Sequence, residues 1–202
     1  MKRNYQIQGN PGHDNTFVEV SNGSYNPNAR EVHHHYYSQE TRMGVSYKDL
    51  STEIADNSTG EIKGDLLFYN TKLEGTLDME VLLQKFGFCK RNRGLIMGFM
   101  QQYAMKVKQF GCYPAAQKII LFIFAEIKSA FVANIEPMVR RRAHEDDVMK
   151  KIYEDVVIPV MFFINANGAE DRDLQFNADH IIGMIFFLVS NGHLCIYDQD
   201  DI

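Results

Sequence analysis

Cysteine is scarce in this chain and badly placed for covalent or metal chemistry. Cys89, Cys112 and Cys195 are the only three, they stand far apart, and no CxxC pair exists. This spacing argues against a disulfide framework and against a structural zinc finger, and makes reduced thiols in the cytoplasm the expected setting. A large excess of one charge is also lacking. The formal net charge is −5, too mild to make a whole-molecule electrostatic case for nucleic acid. Long apolar runs are missing too. Ile119–Ala125, Val156–Ile164 and Ile181–Val189 are far shorter than the roughly 20 apolar residues of a spanning helix, so core helices and no membrane partner are expected. Met1-Lys2-Arg3 leads into Asn4-Tyr5-Gln6 and not into an apolar stretch, which gives no export signal. Nor is there a phosphate loop, GxGxxG, HExxH or nucleophile elbow. Their joint absence argues against the common catalytic classes, so a protein that is not an enzyme and needs no cofactor is expected.

What is present is enough apolar residue, 45% of the chain, to bury a core. Residues 1–45 differ from the rest, being dense in Asn, Gly, Ser, His and Tyr. The pattern predicts an arm of short strands there. Thr16-Phe17-Val18-Glu19-Val20 alternates, as does Arg30-Glu31-Val32-His33-His34-His35-Tyr36-Tyr37, with turn chemistry at Asn22-Gly23 and Asn26-Pro27-Asn28 between them. A lone two-stranded hairpin is marginal in water, so the arm is expected to need a partner, such as a second copy. A polar linker is expected over 46–65 and an α-helical domain over 66–202. The fold class expected is mainly α, a bundle of about five helices with the arm of strands in front and a short C-terminal strand behind. Thr76 is expected to cap a helix to about Lys90, and a second helix is expected over Gly94–Phe110, stopped by Gly111. Pro114 suits the first position of a third, to about Ile135. A fourth runs over Glu145–Ile164 and is kinked at Pro159.

Charge is unevenly spread. Lys85, Lys90, Arg91, Arg93, Lys106, Lys108 and Lys118 fall between Val81 and Ala125 without a single acid. Glu170, Asp171, Asp173, Asp179, Asp198, Asp200 and Asp201 crowd the end of the chain against Arg172 alone. Charge runs usually lie on solvated faces, or the two halves face each other. The alternative reading is a nucleic-acid-binding regulator using Lys85, Lys90, Arg91, Arg93, Lys106 and Lys108.

Three histidine clusters invite chemistry. His33 and His35 share a strand face and are the only metal candidates in the arm. No second anchored ligand pair is spaced to complete a site, so no metal is expected. His144-Glu145-Asp146-Asp147 could serve a metal-dependent nuclease, but acids there suit the first turn of the fourth helix, and capping is the expectation. His193 and Cys195 could suggest a thiol and its base; a packed terminal strand is the simpler account.

The stretch Asn177–Ile202 carries the strongest local signal. Asn177 is a good N-cap and Asp179 sits in the first turn. Ile181, Met184, Ile185, Leu188 and Val189 recur at helical spacing, and Asn191-Gly192 stops the helix. His193-Leu194-Cys195-Ile196-Tyr197-Asp198 then alternates. Together with Asp155-Val156-Val157-Ile158-Pro159-Val160, these residues resemble the helical domain at the C-termini of ABC-three component conflict proteins, over about 114–198. Family members end in a Cys-His-Ile-Arg-Trp-like order, whereas this chain has Gly192-His193-Leu194-Cys195-Ile196-Tyr197. The resemblance implies a recruiting module that tethers a defence or mobile-element protein to an ATPase system and does not catalyse. The arm is similar in composition to arms of Bacteroidetes proteins. The expected function is a cytoplasmic adaptor that self-associates through its arm. Phe17, Val18, Val20, Val32, Tyr36, Tyr37, His193 and Tyr197 are the expected docking residues.

Overall fold

The protein, seen in a computed structural model, is described over residues 40–196 apart from 75, 77, 86, 87 and 170. The expected arm strands, with His33, His35, Phe17, Val18, Val20, Val32, Tyr36 and Tyr37, lie outside the described residues, as does Tyr197. The described residues are mainly helical, and no strand occurs among them.

The first helix, α1 (Arg42–Ala55), occupies much of the expected linker. Its polar composition hides an apolar face: Met43, Tyr47 and Leu50 are buried at helical spacing, and Thr41 caps the helix by accepting from the Gly44 N–H. Composition misled there because amphipathicity depends on spacing, not on average polarity. This face packs on α5 (Pro114–Asn134), the long central helix. Glu53 reinforces the contact by accepting from the Ala115 N–H, placing a carboxylate at the positive end of α5. The chain then passes through α2 (Gly64–Asn70) and α3 (Met79–Lys85). Asp78, rather than the expected Thr76, precedes α3 and accepts from the Glu80 N–H, while Thr76 turns its hydroxyl to the Leu73 carbonyl.

One buried polar side chain fastens the loop before α2 to α5. Gln117 is fully buried; it donates to the Glu61 and Gly111 carbonyls and accepts from the Lys63 N–H. All of its amide's main polar directions are thereby used, as a buried amide requires.

Next comes α4 (Lys90–Phe110), four residues longer at its start than expected, and ended at Gly111 as expected. After α5 come the short α6 (Glu136–Arg140) and a long helical stretch of α7 (Glu145–Ile152), a π-helical turn (Tyr153–Val157) and α8 (Ile158–Asn167). The expected kink at Pro159 is this wider turn. Proline offers no N–H to the Asp155 carbonyl, and the Ile158 N–H instead donates five residues back, to Tyr153.

The last helix, α9 (Ala178–Ser190), packs chiefly on α4. Asn177 and His180 form a reciprocal cap: Asn177 Oδ1 accepts from the His180 N–H, and His180 Nδ1 accepts from the Asn177 N–H. At the other end the Gly192 N–H donates to Val189 and the His193 N–H to Leu188, with Gly192 at φ 81°. This is a Schellman ending built on the left-handed backbone that glycine accepts. The expected C-terminal strand is absent from the described residues. The His193 N–H is spent on the helix end, and no strand among the described residues offers a ladder. Leu194 and Ile196 are nevertheless buried and anchor the segment.

Where α4 and α9 meet, Gly183 lets the two backbones touch. A Cβ there would stand 2.3 Å from the Phe99 carbonyl oxygen. Around this contact Tyr103, Phe124 and Phe187 pack edge to face or stacked, with centroids 5.3 to 6.2 Å apart. Burial pushes the Tyr103 hydroxyl well above the ordinary phenol range.

Candidate interaction surface

The inner side of α4 buries Ile96, Tyr103 and Phe110. Its outer side is covered by nothing among the described residues, and its composition is unusual. Leu95, Met97 and Met105 are 50%, 48% and 65% exposed, where a solvated helix face would carry charge. Gln101, Gln102 and Ala104 are exposed beside them. A Cβ added at Gly94 or Gly98 would meet no atom of the described residues within 4 Å, so packing among those residues requires neither glycine. In a helix interior each glycine costs about 1 kcal/mol against alanine.

The charges on α4 separate into two kinds. Lys90, Arg91 and Lys108 are exposed. Arg93 is half-buried, its Nε out of solvent and without a hydrogen-bond partner among the described residues. Lys106 is half-buried too and lies over the Phe110 ring, 5.5 Å from its centroid. Its charge, after burial itself, helps push the His180 imidazole below its ordinary range, against the opposing pull of Asp179. Thus Lys106 is engaged with α9, and the structure does not gather Lys90, Arg91, Arg93, Lys106 and Lys108 into one patch. The Lys85 side chain itself lies outside the described atoms. The exposed cations stand at the two ends of α4, about 25 Å apart at 1.5 Å per residue, with an uncharged apolar centre between them.

The start of α4 is electrostatically awkward. Cys89 precedes it with no side-chain cap, its first turn holds no acid, and Lys90, Arg91 and Arg93 crowd the positive end of the helix dipole. Each cation so placed costs a few tenths to about 1 kcal/mol.

The other candidates resolve into structural parts. His144 is the N-cap of α7, its Nδ1 3.3 Å from the Asp146 nitrogen, and Glu145, Asp146 and Asp147 fill the first turn. Among the described residues no group of three His, Cys, Asp or Glu side chains could hold a metal ion. His193 lies against Phe68 and Tyr69, with centroids 4.8 and 5.1 Å away, and closes the α9 ending over α2. A further exposed apolar group, Tyr153, Ile158 and Phe162, marks the outer side of the π-helical turn and α8. No helix among the described residues is long and apolar enough to cross a membrane.

The family of helical domains described as C-terminal domain 9 of the ABC-three component (ABC-3C) systems matches residues 83–195, more than half of the chain. The chain belongs to this family. The ABC-3C domain therefore begins at α3 and includes α4, further upstream than the resemblance at 114–198 reached. It leaves α1 and α2 as additions that cover α5. No curated protein and no solved structure matches the chain. The sequence signal for the α4 surface was readable as a helix with two glycines, no acid and exposed-phase methionines. The basic residues interspersed along the same helix mask that pattern in the sequence.

Proposed function

We propose that the protein is a non-catalytic adaptor of an ABC-three component system, and that the outer face of α4 docks a protein component of that system. The observation that carries this reading is the layout of the face: exposed Met105 in line with Gly94 and Gly98, exposed Leu95 and Met97 on the two flanks of that line, and exposed cations toward the helix ends. Protein interfaces have this anatomy of apolar core and polar rim. A nucleic-acid surface would instead need positive charge along its length, because duplex phosphates recur about every 1.7 Å of axis. Membership of a family of ABC-3C C-terminal domains supports a role within a multi-protein assembly. Self-association through residues 1–45 belongs to the same proposal and rests on the alternating apolar pattern of that arm.

Co-purification with the other components of its ABC-3C system, after nuclease treatment, tests the docking role. The complex is expected to persist; its loss on nuclease digestion would favour the nucleic-acid reading instead. Light scattering on a form lacking residues 1–38, which keeps Thr41 and Met43 of α1, tests the arm. A smaller assembly is expected, and an unchanged one would remove self-association from the account.

A further inference from the structure

The kind of element that α4 receives can be argued from the same face, an inference that rests on α4 being the docking surface. Three features of α4 each weaken the free protein. Cys89 gives its N-terminus no side-chain cap and cations crowd it, Leu95, Met97 and Met105 are exposed, and Gly94 and Gly98 occupy helix positions where no described neighbour needs the space. Natural sequences break several local rules together where something outside the fold compensates.

The compensations differ in kind, and together they describe one occupant. The cations at both ends of the face, with no acid between, call for negative charge at both ends of whatever lies along α4. The α4 of a second copy fails that test. Paired antiparallel, Lys108 of each copy would face Lys90 and Arg91 of the other; paired parallel, like ends would meet. Met105 in line with the glycines, flanked by Leu95 and Met97 on either side, calls for apolar side chains between the acidic ends. The open glycines call for close approach of a backbone. The chain demonstrates that geometry on the opposite side of the same helix, where Gly183 of α9 brings two helix axes together at Phe99.

We infer that the outer face of α4 receives a helix of the partner protein, packed close over Gly94 and Gly98 and carrying acidic side chains at both of its ends. Such a helix neutralises Lys90, Arg91 and Lys108 at the rim and covers the methionines, whose flexible side chains adapt to a partner's shape.

The test uses the full chain in complex with the other components of its ABC-3C system. A photo-crosslinking side chain at position 105 is expected to capture a peptide with apolar residues at helical spacing and Asp or Glu toward both ends. A basic peptide, an extended apolar segment, nucleic acid or this chain itself would overturn the inference while leaving α4 as a contact. A complex that gives no crosslink from position 105 would overturn the docking surface as well. The paired substitutions Gly94→Ala and Gly98→Ala supply a second readout. They are expected to raise the melting temperature of the free protein and to weaken the complex about tenfold or more, because added methyl groups hold the helices apart. Unchanged affinity in the stabilised variant would show that no backbone comes close there.

Discussion

At Gln117 a single side chain satisfies three backbone groups from two segments. Replacing it with leucine keeps the volume but leaves those groups buried without partners. Gln117→Leu is expected to cost about 2–3 kcal/mol in urea denaturation, and a loss below about 0.5 kcal/mol, the range of ordinary surface changes, would count against the role given to it. His180 makes a second prediction. Its Nδ1 accepts a hydrogen bond from Asn177, which a protonated imidazole cannot do. Burial and the Lys106 charge favour the neutral ring. With its folded pKa depressed, the unfolded chain binds the proton more readily, so stability is full above the ordinary pKa of about 6.5 and declines as the pH falls from there toward the lowered value. Melting temperatures between pH 7.5 and 5 are expected to fall less in His180→Gln than in the parent protein; parallel curves would remove His180 from the pH response.

At the scale of elements, the helices whose ends are marked by side chains were legible from sequence. Pro114 opens α5, Gly111 ends α4, and Asn177 with Asn191-Gly192 brackets α9. Asn177→Ala is expected to cost about 1 kcal/mol of stability, the ordinary worth of a cap, measured by thermal melting at pH 7.5. What composition hid was α1, where Met43, Tyr47 and Leu50 at helical spacing suffice despite polar neighbours. The C-terminal alternation was also deceptive. Leu194 and Ile196 are buried as a strand pattern would have them, yet without an edge to pair with they pack as an irregular segment. Glycines divide by surroundings that sequence does not show. Gly183→Ala would drive a methyl into the Phe99 carbonyl and is expected to destabilise by about 1–3 kcal/mol, whereas Gly94 and Gly98 face open space. Measured side by side, opposite shifts in melting temperature are expected; equal destabilisation would mean that α4's outer side is not open.

For the whole molecule, the contrast between a basic middle and an acidic end was visible in the sequence, but its meaning depended on orientation. Packing turns Lys106 inward toward Phe110 and the start of α9, and leaves Lys90, Arg91 and Lys108 outward at the ends of α4. One charge run thus divides between an inward and an outward role. Family membership places α4 and α9 inside an ABC-3C C-terminal domain, with α1 and α2 packed on α5 from outside the matched residues and the outer side of α4 uncovered among the described residues. The most direct measurement is the affinity of the purified protein for the component it docks, compared between two surface variants. Leu95→Glu with Met105→Glu, on α4, is expected to weaken binding by about a hundredfold, as loss of a buried apolar centre does, while Phe162→Glu on α8 leaves it unchanged. Full affinity in the α4 variant, with binding lost in the α8 variant, would contradict the account.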